Sequence, residues 1–152
     1  MGVSDAVLNG EDMRSVKFRG LDLQNNWVYG SLVQTKEWEA LIVTMSGRNM
    51  TSMDKVEAGS VGQFTGLTDK NGKEIFEGDI VECVSWNEFF SKDGMPTEAM
   101  RRKMYVDFRR GAFVMVEPMP EPLKDNEWDI IYNGDIEVIG NRHENPELLK
   151  AR

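Results

Sequence analysis

The sequence predicts a mainly β protein whose short strands form a barrel or a sandwich. Short alternating or β-branched apolar stretches recur at close spacing along the chain, giving about eight strands. Tight-turn signals separate these stretches, among them the Asn-Gly pairs at 71–72 and 133–134. The 40% hydrophobic and 29% charged residues are typical of a folded globular domain.

The N-terminal part of the chain predicts two strands behind a leader. Residues 1–13 are polar and aperiodic, and we expect a flexible extension ahead of a single domain at 14–152. A first strand is predicted around Phe18, where apolar and basic residues alternate. After a turn at 22–26, the aromatic and β-branched run Trp27–Gln34 predicts the second strand.

A third strand and a glycine-rich segment follow. Residues 38–44 alternate with apolar residues on both faces, and 46–49 end this strand with turn chemistry. Segment 61–81 predicts strand, turn and strand, with a further strand opening after residue 79. Its four glycines either adopt positive φ or let another chain segment pass close by. They are Gly62, Gly66, Gly72 and Gly78.

Beyond residue 86 the pattern weakens and then returns. Residues 87–103 are predicted to be a variable insertion with a short helix at 97–102, because Thr97 can cap a helical turn. Two apolar stretches at 104–108 and 112–116 predict a hairpin around Arg-Arg-Gly.

The C-terminal part predicts a proline-rich loop and two closing strands. Prolines at 118, 120 and 122 mark an acidic extended loop that cannot donate to a sheet at three places. Strands are predicted at 128–132 and 136–139, joined by a hairpin-type turn at Asn133-Gly134. Residues 146–150 suit one helical turn capped by Asn145.

The glycine-rich segment carries a family resemblance. It reads Gly-Gln-Phe-Thr-Gly-Leu-Thr-Asp-Lys-Asn-Gly-Lys-Glu-Ile-Phe-Glu-Gly-Asp-Ile-Val at 62–81, and flanking pieces at 16–19 and 137–149 match in order and spacing. This pattern resembles the YopX family of bacteriophage and prophage proteins. The resemblance implies a mostly β fold containing a small SH3-like barrel, and a family without an established activity.

The residues that carry the resemblance are interpreted as architectural. Phe64, Leu67, Ile75 and Val81 are expected in the core, whereas the polar residues are expected to satisfy backbone groups in turns. The signature residues are Gly62, Gln63, Phe64, Thr65, Gly66, Leu67, Asp69, Asn71, Gly72, Gly78 and Asp79.

Composition argues against several functional classes. The 26 acidic and 18 basic residues give a net charge of −8, which opposes generic attraction to DNA or anionic membranes. Cys83 is the only cysteine and His143 the only histidine, so neither an internal disulfide nor a two-histidine metal site is possible. We therefore predict no cofactor, metal or catalytic site. Cys83 is expected to be buried, and His143 to lie on the surface.

One basic segment interrupts the acidic background, and it has two interpretations. Basic loops with aromatic side chains bind nucleic acids on small barrels, which makes this segment a candidate nucleic-acid site. Alternatively, its arginines pair with carboxylates of the acidic stretch 117–129 or of a second subunit. The segment comprises Arg101, Arg102, Lys103, Tyr105, Arg109 and Arg110.

The preferred hypothesis is a non-enzymatic cytoplasmic protein that binds itself or another phage or host protein. Aromatic residues at 86–90 and methionines at 115–119 are expected to supply an adhesive surface. No apolar run is long enough to span a membrane. Nucleic-acid binding is the second hypothesis, and an enzyme of unnamed reaction is the third.

Overall fold

The computed structural model describes residues 14–37, 39–86, 99–130 and 135–150. These residues form two antiparallel sheets and two single turns of 3-10 helix, at Ala58–Ser60 and Pro146–Leu149. The strands are β1 (Phe18–Leu21), β2 (Trp27–Gln34), β3 (Ala40–Ser46), β4 (Asn49–Val56), β5 (Gly62–Thr68), β6 (Glu74–Phe76), β7 (Asp79–Trp86), β8 (Ala99–Arg109), β9 (Ala112–Glu117), β10 (Asn126–Asp129) and β11 (Ile136–Asn141).

The first sheet has six strands in the order β4-β3-β2-β1-β5-β6. Its β1–β2 turn is held by the Asp22 carboxylate, which accepts the backbone N–H groups of Gln24 and Asn26 at 2.8 Å each. One face of the sheet buries Ile42 and Val56 in a small core. The predicted strand at 27–34 coincides with β2.

The second sheet has five strands in the order β10-β9-β8-β7-β11 and is apolar on both faces. One face packs Val81, Cys83 and Met115 into the main core. The other face buries Ile80, which packs beneath the C-terminal turn that contains Leu148. Cys83 is 2% exposed, as predicted, and burial raises the pKa of its thiol.

The signature segment links the two sheets. Ile75 of β6 belongs to the core of the second sheet, whereas the neighbouring Phe76 contacts Phe64 and Tyr29 in the first. Three of the four signature glycines have positive φ, and Gly62 instead packs against the backbone of residue 77. Both uses of glycine that the sequence predicted are therefore present.

The described strands do not close into a barrel, so the expected SH3-like barrel is not confirmed. The first sheet ends at β4 and β6, and β7 continues into a separate sheet. The predicted pairing of the two strands on either side of Asn133-Gly134 is also wrong, because β10 and β11 lie at opposite edges of the second sheet. Residues 131–134 lie outside the described part of the chain.

Other differences concern single elements. Residues 99–102 belong to strand β8, not to the predicted helix, because they pair with β7. Strand β4 has no counterpart in the sequence prediction. Asn145 precedes the closing 3-10 turn without capping it, and its side chain accepts the N–H of Asn141 at 3.3 Å. Trp38 and residues 87–98 of the predicted insertion lie outside the described residues. No helix among the described residues is long and apolar enough to cross a membrane.

Candidate functional site

A cleft of about 350 Å³ lies where the two sheets and the C-terminal segment meet. A volume of this size suits a small molecule. Charged, aromatic and backbone groups from sequence-distant elements converge in it. The lining residues used below are Arg19, Trp27, Glu77, Asp107, Arg142 and His143.

Arg19 of β1 lies in this cleft with its side chain nearly enclosed. The residue is 6% exposed, and its guanidinium carbon lies 4.5 Å from the Trp27 ring centre and 4.9 Å from that of Phe76. Its Nη2 donates to Asp79 Oδ1 at 2.7 Å. Its Nε has no hydrogen-bond partner within the described residues. A buried donor of this kind is costly to leave unmatched.

Asp79 completes this buried ion pair and also closes the turn before β7. Its second oxygen accepts the Phe76 N–H at 2.8 Å. Burial raises the pKa of Asp79, while Arg19 and the Phe76 N–H oppose that rise. The signature Asp therefore fixes Arg19 beneath the cleft in addition to satisfying the turn.

Glu77 and Asp107 contribute two carboxylates to the cleft. Burial, and to a smaller degree the charge of Asp107, raises the pKa of Glu77. A weak bond from the Gln63 N–H at 3.5 Å opposes this effect. Asp107 is bound by Arg109, whose Nε donates at 2.9 Å. Glu77 is thus the carboxylate here with the weaker internal partner.

The C-terminal segment supplies two further basic residues of the cleft, Arg142 and His143. His143 is exposed, as predicted, and its Nε2 lies 2.7 Å from Gly59 O. Its ring meets Trp27 edge-on, and the Trp27 indole donates to Glu144 at 3.1 Å. The guanidinium of Arg142 lies 4.1 Å from the centre of the Tyr105 ring.

The other signature residues have architectural contacts. One oxygen of Asp69 accepts the N–H groups of Asn71 and Lys73 at 2.8 and 2.9 Å, and the other accepts that of Val138 in β11 at 3.0 Å. These bonds lower the pKa of Asp69 despite its burial. Thr65 Oγ1 donates to Ile75 O at 2.8 Å. The Asp69 interpretation is confirmed and extended, since this residue also joins the two sheets.

One smaller expectation for the signature is corrected and another holds in part. The Asn71 amide donates to the Glu137 carboxylate at 3.4 Å instead of to a backbone group. Ile75 and Val81 lie fully in the core, whereas Phe64 and Leu67 are only partly buried. Leu67 nevertheless packs against the main core, and Phe64 packs against Phe76.

The basic segment forms strand β8 and its turn, and each of its four arginines has a carboxylate partner. Arg101 pairs with Glu82 at 3.1 Å and Arg102 with Glu117 at 2.8 Å. Arg109 and Arg110 both pair with Glu127. Three of these pairs use the acidic stretch 117–129, as the second interpretation of this segment predicted.

Tyr105 is not presented for stacking on a nucleic-acid base. It is 7% exposed, its hydroxyl accepts Arg109 Nη2 at 3.0 Å, and Arg142 covers its ring. Lys103 lines a groove of about 480 Å³ together with Arg101, Arg102, Met119 and the C-terminal residues 148–150. Nucleic-acid binding by this strand stays a prediction.

Part of the predicted adhesive surface is buried, and an exposed apolar patch lies elsewhere among the described residues. Met115 is fully buried, and the side chains at 86–90 lie outside the described ones. Instead, the outer face of β2, β3 and β4 presents apolar side chains in register, because Val33 faces Leu41 and Val43 faces Met53. We call this the outer face. Its members are Tyr29, Val33, Leu41, Val43, Met45, Met50 and Met53.

Sequence reasoning did not single out the cleft. Arg19, Glu77 and Asp107 come from three strand ends or turns, and no spacing along the chain relates them. The available signal was modest: Arg19 is a charged residue on an alternating strand whose other residues are buried or half-buried. Arg19 and Asp79 come into contact only when the two sheets pack against each other.

Comparison with known proteins agrees with this fold. The chain is similar to protein EF1440 from Enterococcus faecalis, with 24% identity, a TM-score of 0.51, and coverage of 91% of this chain and 100% of that one. It is similar to protein yopX from Bacillus subtilis, with 17% identity, a TM-score of 0.51, and coverage of 92% and 99%. No curated protein matches significantly. The family model described as YopX protein matches residues 17–150, and the chain therefore belongs to the YopX family.

Proposed function

We propose that this chain is a phage- or prophage-derived, non-enzymatic protein of the cytoplasm that associates with a second copy of itself through the outer face. The observation that carries the proposal is the row of exposed methionines on this face. Met45, Met50 and Met53 are 51%, 56% and 53% exposed. Apolar patches of this kind are typical of protein interfaces, and flexible methionines adapt readily to a partner.

Register supports a continuous patch. Val43 of β3 lies opposite Met53 of β4, and Met45 lies opposite Met50. Residues directly opposite in antiparallel strands project from the same face. Tyr29 and Val33, both exposed, extend the patch onto β2. Ser31 and Lys55 lie on the same face, opposite Val43 and Leu41, and the apolar side chains adjoin one another around these two polar positions.

The position of β4 supports a second copy as the partner. It is the terminal strand in the order of the first sheet, and its eight residues contain no proline. An edge strand offers unpaired N–H and C=O groups to another strand. Two identical edges can pair about a two-fold axis, the commonest symmetry of soluble oligomers.

Two residues of reactive type support a non-enzymatic role. The Cys83 thiol is buried with a raised pKa, which disfavours the nucleophilic thiolate. His143, the sole histidine, has Nε2 engaged with Gly59 O. The burial of the Cys83 thiol and the backbone contact of the His143 ring support a structural role for both side chains.

Self-association is tested by multi-angle light scattering across a concentration series. We expect a mass above 17.3 kDa that rises with concentration. The double variant Met45→Glu and Met53→Glu should remain monomeric. It places two carboxylates on the outer face, and those of one copy would repel those of the other in the contact. Strictly monomeric wild-type protein at every concentration would contradict the proposal.

A matched control is available on another surface. Leu123 is 56% exposed in the proline-rich loop, outside the outer face. The variant Leu123→Glu makes the same kind of change and should leave the mass profile of the wild type intact. If this control also dissociates the protein while the methionine variants do not, the interface lies elsewhere.

A further inference from the structure

The cleft between the sheets has charged groups of both signs on its walls. Glu77 and Asp107 come from the β6–β7 turn and from β8, whereas Arg142 comes from the C-terminal segment and Arg19 from β1. A purely anionic ligand would meet the two carboxylates, and a purely cationic ligand would meet the two guanidinium groups. A dipolar ligand matches both walls.

On the acidic side of the cleft, Asp107 already pairs with Arg109, and Glu77 is the carboxylate without a cation. No basic side chain among the described residues forms an ion pair with Glu77, whose side chain accepts only the long bond from Gln63 N. Burial and the neighbouring charge of Asp107 raise the pKa of Glu77. An ammonium group bound here would stabilise the ionised carboxylate.

The basic side of the cleft keeps N–H donors without an acceptor, although Arg19 already donates to Asp79 through Nη2. The Nε of Arg19 is buried and without a partner within the described part of the chain. Arg142 contacts the ring of Tyr105, and its backbone N–H is donated to Gly78 O at 2.8 Å. Arginine side chains placed in this way are suited to a carboxylate, which can accept two N–H bonds.

Apolar atoms complete the lining. Val61 and Val106 reach the cleft beside the Trp27 ring. They give a small apolar surface between the charged walls, which suits a hydrocarbon side chain. The volume of about 350 Å³ accommodates a molecule of amino-acid size.

We propose that this cleft binds a free α-amino acid with an apolar side chain. The ammonium group lies against Glu77 and Asp107, and the carboxylate lies on the side of Arg19 and Arg142. The side chain packs against Trp27 and the two valines. The cleft adjoins the outer face at Tyr29, which lies opposite Arg19. No outer-face residue lines the cleft, so the proposal does not depend on self-association.

The test is a titration of the full chain with L-leucine, followed by two-dimensional amide NMR. L-leucine should shift the amide signals of cleft residues such as Gly59 and Val106. Two matched probes remove one charge each: L-leucinamide lacks the carboxylate, and N-acetyl-L-leucine lacks the ammonium group. Each should bind at least roughly tenfold more weakly than L-leucine.

Variants test the walls one at a time. Glu77→Gln keeps the shape and a hydrogen-bond acceptor but removes the charge, and Arg142→Met removes the guanidinium. Each should weaken L-leucine binding roughly tenfold, with a dispersed spectrum that shows the fold is kept. Glu147→Gln, at an exposed position on the closing 3-10 turn, should bind like the wild type.

Three outcomes would overturn the proposal. One is the absence of cleft shifts with L-leucine at millimolar concentration in the folded wild type. A second is equal binding of all three probes, because binding would then not depend on the charges of the cleft. A third is wild-type affinity for L-leucine in both Glu77→Gln and Arg142→Met.

Discussion

The signature turns and the β8–β9 hairpin are both rich in charged residues, but they use them differently. Asp69 and Asp79 are buried, and backbone N–H groups or Arg19 satisfy their oxygens. Arg109 and Arg110 lie closer to solvent, where they share Glu127. Charges of the first kind connect elements far apart in the chain, whereas those of the second kind meet within one sheet, between β8 or its turn and β10.

The two kinds of charged pair should contribute differently to the free energy of unfolding. Removing one member of a buried pair leaves a charge without water or a partner, whereas an exposed pair loses little when water replaces the partner. The signature carboxylates should therefore dominate stability, although the basic hairpin contains more ion pairs. Replacements in the two regions can break or sharpen this comparison.

The largest effect is expected for Asp79→Ala. It leaves Arg19 buried without its carboxylate, and should lower the free energy of unfolding by about 3–5 kcal/mol. Urea denaturation followed by tryptophan fluorescence measures this. Asp129→Ala, at an exposed position in β10, is the matched control and should change little. The double variant Arg19→Met with Asp79→Ala should cost less than the sum of the single variants. Equal losses for Asp79→Ala and the control would contradict the buried-pair argument.

A smaller loss is expected for Asp69→Ala. Three backbone N–H groups lose their charged acceptor, including that of Val138 in the other sheet. The free energy of unfolding should fall by about 1.5–3 kcal/mol, the range for hydrogen bonds to charged groups. Asp69→Asn should cost less, because one oxygen remains as an acceptor. A neutral effect of Asp69→Ala in the same denaturation assay would show that water replaces these bonds.

Acid should remove part of the Asp69 contribution. The pKa of Asp69 is lowered below its ordinary value of 3.8 in the folded state, so the folded protein favours the ionised form. This stabilisation is present above pH 3.8 and is lost as the pH falls through the folded pKa. The stability difference between wild type and Asp69→Asn should therefore shrink in acid. A constant difference between neutral pH and about pH 2 would show that ionisation of Asp69 does not matter.

The smallest effect is expected for Arg109→Met. Arg109 pairs with Asp107 and Glu127 at 2.9 and 2.7 Å, but all three side chains retain contact with solvent. The loss should be below about 1 kcal/mol and should decrease further as salt is added. Chemical denaturation with urea at low and high salt measures both expectations. A loss as large as that of Asp79→Ala would remove the distinction between the two regions.

The residue types at neighbouring positions predicted the glycine-containing turns and several strands. The aromatic and β-branched content of Trp27–Gln34 and the Gly-Asp opening of β7 required no knowledge of distant contacts. Strand β4 escaped prediction because its polar residues have little β-preference, and pairing with β3 defines it. Residues 99–102 resemble a helix locally, but pairing with β7 makes them extended.

The chain composition and its turn residues established a β-rich fold, a buried cysteine and the YopX signature, because turn geometry and alternation are local properties. The packing of the two sheets established the rest. It enclosed Arg19 with Asp79, brought Glu77 and Asp107 to the C-terminal segment, and left the outer face open. The charged groups joined in this way lie about 35 to 65 positions apart, and no period along the chain encodes such contacts.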